Sequence, residues 1–132
     1  MLKGLNHITV AVADLDRSLH FYLKVLGFSG HVRWDKGAYL SLGELWLCLS
    51  VDTPVPAQDY SHLAFTLAAE DFAAFRERLQ QNNTPIWKDN HSEGDSVYFL
   101  DPDGHKLEAH EGSLASRLQS LHQQPYSGLS WL

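Results

Sequence analysis

The sequence predicts an α+β fold of two β-α-β-β-β units whose strands form a cup. The first observation is the opening stretch Gly4-Leu5-Asn6-His7-Ile8-Thr9-Val10-Ala11-Val12-Ala13-Asp14, a short apolar strand with one histidine that runs into a helix start. The second is its echo, Asp59-Tyr60-Ser61-His62-Leu63-Ala64-Phe65-Thr66-Leu67, again β-rich with one histidine and followed by a helical pattern from Glu70-Asp71-Phe72. The third is that each helix is followed by short strand-like runs separated by turn residues. If the units pair, His7 and His62 stand at equivalent points of a pseudo-symmetric site.

In the first strand a period of two sends Ile8, Val10 and Val12 to one side and His7 with Thr9 to the other. Asp14 is suited to cap a helix whose Leu15, Leu19, Tyr22 and Leu26 recur at helical spacing, and Gly27 is suited to end it. Strands are expected around Phe28 to Trp34, Ala38 to Leu42 and Leu45 to Leu49, with turns at Asp35-Lys36-Gly37 and Gly43-Glu44. The proline-rich stretch Asp52 to Gln58 connects the halves.

The second unit has an expected strand at Tyr60 to Leu67, a helix carrying Phe72, Phe75 and Leu79, and a stop at Gln81-Asn82-Asn83, where asparagine tolerates a left-handed backbone. Further strands fit near Pro85 to Lys88, Ser96 to Leu100 and Lys106 to His110. The last two flank Asp101-Pro102-Asp103-Gly104, a strong turn signal. A helix from about Ser113 to His122 and an irregular tail close the chain. The expected organisation is one domain over residues 1–132, with unit one at about 4–51, unit two at about 59–112 and a C-terminal segment at 113–132.

A chain of 132 residues suits one domain and is too short for two independently stable ones. No run approaches the roughly 18 apolar residues of a membrane span. Met1 leads directly into the first strand without a targeting pattern, so the expected compartment is the cytoplasm. Cys48 is the only cysteine, which excludes an internal disulfide and a thiolate cluster. A formal charge of −6, from ten Lys and Arg against sixteen Asp and Glu, argues against nucleic acid as a partner. It also means that a small anionic ligand needs a local group of cations.

Register selects the candidate site. In Leu45-Trp46-Leu47-Cys48-Leu49 the leucines share one face, leaving Trp46 and Cys48 on the other; in Lys106 to His110 the packed pair Leu107 and Ala109 leaves Glu108 and His110 opposite. Cys48 then occupies in unit one the place that Glu108 has in unit two. His7, His62 and Glu108 form a set suited to a divalent metal with open positions, and the matching of the two histidines by the repeat is what favours that role over ordinary strand packing. His110, on the same face as Glu108, is the rival ligand. His20, His31, His91, His105 and His122 are expected on helix surfaces or in loops.

The chain resembles the vicinal oxygen chelate superfamily, and within it the glutathione-dependent fosfomycin-resistance transferases of the FosA type. The resemblance is carried by Gly4-Leu5-Asn6-His7, Trp34 to Leu40, Leu45 to Ser50, Asp59-Tyr60-Ser61-His62, Ser92-Glu93-Gly94-Asp95-Ser96 and Tyr98 through Glu108. It implies a domain-swapped homodimer in which His7 of one chain joins His62 and Glu108 of the other around Mn(II). It also implies a potassium ion in a loop formed by Asn90, Ser92, Gly94 and Ser96. The phosphonate of fosfomycin is then expected to meet Thr9, Lys88, Ser92, Ser96, Tyr98 and Arg117, with Trp46, Cys48 and Tyr60 nearby. Tyr39 is expected beside the attacking thiol of glutathione, with Trp34, Lys36 and Tyr126 as further contributors to the thiol pocket.

The implied reaction is metal-dependent opening of an epoxide by glutathione, with Thr9 and Tyr39 as the catalytic pair. Related hydrolases use a glutamate to activate water, and Glu44 is the residue here that could take that part. An Fe(II) extradiol dioxygenase and a drug-binding protein without chemistry are the two other readings of the same fold, but Lys88, Arg117 and the serine-rich loop suit an anionic phosphonate better than a catechol.

Overall fold

The computed structural model describes residues 1–132. In chain order the elements are β1 (His7–Val12), α1 (Leu15–Leu19), β2 (Ser29–Trp34), β3 (Gly37–Leu42), β4 (Leu45–Val51), β5 (Leu63–Thr66), α2 (Phe72–Gln81), β6 (Ile86–Lys88), β7 (Ser96–Leu100), β8 (Lys106–His110) and α3 (Leu114–Gln123). The strands make two four-stranded sheets of the same design, β1-β4-β3-β2 and β5-β8-β7-β6. In each, the first strand lies parallel to the last and the rest pair antiparallel. Even the irregularities match, since β2 shifts register between Gly30 and Val32 and β6 between Ile86 and Lys88.

Asp14 caps α1 as expected, accepting the Arg17 N–H at 3.0 Å, and Gly27 has φ +85°. The helix widens into π geometry over His20–Val25, with Leu26 N–H bonding back to the Phe21 carbonyl at 3.0 Å. Phe21, Tyr22 and Val25 are all buried by this turn. Asn83 takes the left-handed conformation at φ +53°, and Ser113 caps α3 through a reciprocal pair with Ser116.

Two expectations are corrected. The first strand of unit two starts at Leu63 rather than Tyr60, so His62 precedes the strand. The cause is local: the Asp59 carboxylate accepts Ser61 N–H at 2.9 Å and folds residues 59–61 into a turn. His31 lies within β2 rather than on a helix or loop, with Nε2 2.7 Å from the Ser41 hydroxyl.

The core takes residues from both units, among them Val12, Leu40, Leu47, Leu49 and Leu107, each with no exposed surface. Polar contacts also cross between the units. The Asp103 carboxylate accepts Ala13 N–H at 3.1 Å and the Arg17 guanidinium at 2.9 Å, and the His105 ring donates to the Ala11 carbonyl at 2.7 Å. The Tyr22 hydroxyl donates to the buried Asp101 carboxylate at 2.8 Å. The turn before β8 thus grips the exit of β1.

Burial raises the Asp101 carboxyl above the usual aspartate range. A raised carboxyl stabilises the fold most below the unfolded pKa, and that contribution is lost as pH rises through the folded value. Tyr22→Phe removes one donor from this carboxylate, and the expected loss is about 1–3 kcal/mol at neutral pH, shrinking in acid as Asp101 protonates. Urea unfolding at two pH values checks both the size and the direction.

Candidate active site

The charged half of the site is built on the second sheet. Pairing of β5 with β8 and of β7 with β8 sets Glu108 between Ala64 and Tyr98, and Lys88 lies opposite Tyr98 on β6. His62 Nδ1 stands 2.7 Å from the Tyr60 carbonyl. A carbonyl only accepts, so Nδ1 carries the proton and a neutral ring presents its Nε2 lone pair. That lone pair faces Glu108 Oε1 at 3.0 Å. Two Lewis bases aimed at each other require a positive species, either a second proton on His62 or a metal ion that both coordinate. Ligands each roughly 2.1 Å from a metal and near a right angle stand about 3 Å apart, so the pair fits a divalent cation. Glu108 is 7 % exposed, and its other oxygen accepts the Ser96 hydroxyl at 2.7 Å.

Lys88 supplies the cation beside this pair. Its Nζ donates to the Tyr60 hydroxyl at 2.6 Å and lies 4.7 Å from the ring centroids of both Tyr60 and Tyr98. The hydrogen bond to Tyr60 leads the effects that raise the Lys88 ammonium above its ordinary value, so it stays charged at neutral pH. Trp87, Tyr60 and Tyr98 surround the His62 ring edge-on. Sequence pattern does not single out Trp87; its ring N–H donates to the Leu107 carbonyl at 3.0 Å, a contact between distant residues that only the fold creates.

The polar loop after β6 is closed on itself. The Asn90 amide donates to the Gly94 carbonyl at 2.8 Å, and its oxygen accepts both the N–H and the hydroxyl of Ser92. Gly94 has φ +76°, and a Cβ there would collide with the Glu111 carbonyl oxygen. Arg76 on α2 holds the end of the loop through Asp95 at 2.7 and 3.2 Å. That bond leads the effects that keep the Asp95 carboxyl below its usual range. Arg76 is a further contact that the sequence does not mark.

Arg117 is less free than the sequence suggests. Its guanidinium donates to the Glu93 carboxylate at 3.1 Å and to the Tyr126 hydroxyl at 3.2 Å, and none of its hydrogen bonds reaches Lys88, Ser96 or Tyr98. Arg117 in turn draws the Glu93 carboxyl below its usual range. Tyr126, expected at the thiol, is therefore bound to the expected phosphonate residue.

The first sheet carries the neutral half. Thr9 pairs with Cys48, and Cys48 with Tyr39, the same register that joins Ala64, Glu108 and Tyr98. His7 Nδ1 is held by the Asn6 side-chain oxygen at 2.7 Å, which leaves Nε2 available just as in His62. The His7 ring lies 4.5 Å from Trp46, which meets Tyr39 edge-on, and Tyr39 meets Trp34 likewise. These three aromatic side chains are exposed, as is Lys36 in the turn after β2. The Tyr39 hydroxyl makes no hydrogen bond within the chain. Glu44 is exposed in the β3–β4 turn. Within one chain no three His, Cys, Asp or Glu side chains are placed to hold a metal ion together, so His7 does not complete a set with the His62–Glu108 pair intramolecularly.

Residues 4–109 match the family model for the Glyoxalase/Bleomycin resistance protein/Dioxygenase superfamily. The chain belongs to this superfamily. The glutathione transferase FosA of Serratia marcescens is 53 % identical over 98 % of this chain and 95 % of that protein. A metallothiol transferase FosB of Staphylococcus saprophyticus is 38 % identical over 94 % of this chain and 87 % of its own length. Among solved structures, a glutamine variant of the fosfomycin resistance protein FosX of Listeria monocytogenes, in complex with Mn(II) and 1S,2S-dihydroxypropylphosphonic acid, superposes with a TM-score of 0.85 at 28 % identity. That match covers 92 % of this chain and all of the other. The FosX from Mesorhizobium loti gives 0.79 at 30 % identity over 89 % of this chain and 99 % of that one. The superfamily fold thus accounts for both sheets and for their common strand order.

Replacing Glu108 with alanine removes one member of the facing pair. The Glu108→Ala protein is expected to lose Mn(II) binding, measured by the disappearance of free-ion paramagnetic signal on titration, while keeping its fold. Undiminished binding by that variant would show that the pair is a proton-mediated ion pair instead.

Proposed function

We propose that this protein inactivates fosfomycin by transferring glutathione to its epoxide, acting as a dimer in the cytoplasm. In each site His7 of one protomer would complete the metal set begun by His62 and Glu108 of the other. The observation that carries this is the His62 Nε2 to Glu108 Oε1 contact at 3.0 Å, two lone pairs needing a cation, with a second histidine, His7, prepared in the same way on the matching strand. Similarity to a glutathione transferase over nearly the full chain supports thiol rather than water as nucleophile.

A bound Mn(II) would act as a Lewis acid on the epoxide oxygen, where negative charge develops as the ring opens. The rest of the work falls to this chain's own side chains. Lys88, charged and held over two tyrosine rings, would neutralise the phosphonate, with the Thr9, Ser92 and Tyr98 hydroxyls as further donors. The closed loop of Asn90, Ser92, Gly94 and Ser96 would take potassium on its carbonyl oxygens and add positive field near the anion. Arg117 would join the phosphonate by exchanging part of its contact with Glu93. The face of Trp34, Tyr39 and Trp46 would receive the thiol, and the unpartnered Tyr39 hydroxyl would donate to the thiolate, raising its ionised fraction at neutral pH. Attack from the side opposite the epoxide oxygen forms the C–S bond as one C–O bond breaks, and the oxygen, still bonded to the neighbouring carbon, takes a proton from water and becomes a hydroxyl.

Mass spectrometry of the fosfomycin reaction with and without glutathione tests the assignment. A glutathione adduct that forms only with Mn(II) present is the expected result; a vicinal diol formed without thiol would make the protein a hydrolase. Tyr39→Phe is expected to lower kcat about tenfold, equivalent to roughly 1.4 kcal/mol of barrier, while leaving Mn(II) affinity unchanged. Steady-state kinetics beside the metal titration separates the two effects.

A further inference from the structure

We infer that His110 is a positioning residue that orients the Ser96 hydroxyl onto Glu108 and so fixes the metal-binding carboxylate; this rests on the metal reading above. Ser96 Oγ stands 2.7 Å from Glu108 Oε2 and 2.6 Å from His110 Nδ1. Both contacts are short enough to need a proton, and a serine hydroxyl has only one. With Glu108 ionised, as a metal ligand is, the carboxylate accepts only, so Ser96 gives its proton to Glu108. His110 Nδ1–H must then donate to Ser96. The order is His110 Nδ1–H to Ser96 Oγ–H to Glu108 Oε2, and it leaves Oε1 alone to face His62.

The surroundings hold this order in place. Ser96 and Glu108 are 4 % and 7 % exposed, so water has little access to substitute for the Ser96 hydroxyl at the carboxylate. A Cβ on Gly94 would lie 3.1 Å from His110 Cε1, and one on Gly112 would lie 3.0 Å from its Nε2, so two glycines at positive φ let backbone close over the ring. His110 Nδ1 is also 3.5 Å from Glu108 Oε2, which draws its proton to that side. The strand register offers His110 as a rival to the metal ligands, but its Nδ1 is committed to Ser96 and it orients a ligand instead of being one.

The test measures Mn(II) affinity of the purified full chain by paramagnetic titration, separately from turnover. His110→Ala and Ser96→Ala are each expected to weaken Mn(II) binding by roughly 10- to 100-fold. Because both break one series of hydrogen bonds, the double variant is expected to be no weaker than either single. His110→Asn, whose amide can donate from the place of Nδ1, is expected to remain within about threefold of the unaltered protein. Rescue by asparagine and non-additivity together are results that simple loss of packing would not give. Unaltered affinity in His110→Ala, or fully additive losses, would overturn the inference alone. Failure of the unaltered protein to bind Mn(II) would overturn the metal reading as well.

Discussion

Everything at the site depends on the parallel pairing of the first and last strand of each unit. Thr9 beside Cys48 and Ala64 beside Glu108 are the same joint made twice. Because side chains alternate along a strand, a slip of one residue would turn Glu108 toward the core and Leu107 outward, exchanging a buried leucine for a carboxylate with no partner. The apolar faces of β4 and β8 therefore fix the site without touching it. Leu47, Leu49 and Leu107 keep the register, and Cys48 and Glu108 follow from it.

The sheet architecture is legible in the sequence because its signals are local and repeated. Alternation in β1 and β4, the asparagine that ends α2 and the turn before β8 each depend on a few neighbouring residues, and the structure has all of them. What escapes depends on distant contacts or on small departures from regular geometry. The start of β5 is hidden because one Asp59 side chain diverts residues 59–61 into a turn, at a point where the strand pattern itself continues. The π turn that follows α1 leaves the helical spacing of apolar residues nearly intact, so spacing cannot reveal it. Arg76 and Arg117 show the same limit for charges. A sequence marks them as cations, but only the fold shows that Asp95 holds one and Glu93 the other.

Those pairings change the electrostatic picture of an acidic chain. Arg76 and Arg117 are largely neutralised by local carboxylates, whereas Lys88, paired across the sheet with the Tyr98 that itself pairs with Glu108, has tyrosines rather than acids as its partners. A lysine held by a phenol and two ring faces keeps its full charge for an incoming anion. The bond of Arg117 with Glu93 instead braces α3 against the loop that carries Asn90 and Ser92. The loop's shape is then set from two sides, by Arg76 at Asp95 and by Arg117 at Glu93.

The two units have kept one geometry and divided the chemistry. Where unit two has Glu108 and Tyr98 beside Lys88, unit one has Cys48 and Tyr39 beside Val32, so the first sheet offers histidine, hydroxyls and aromatic surface but no carboxylate. A site made by facing two copies of unit two would bring two glutamates and two lysines together, and one made from two copies of unit one would lack the anionic ligand entirely. Only a first sheet set against a second sheet joins one carboxylate to two histidines. Since the two do not meet at a metal position within one chain, the proposed metal site would need pairing between chains, and the fixed Nδ1 atoms of His7 and His62 leave one Nε2 on each histidine for it.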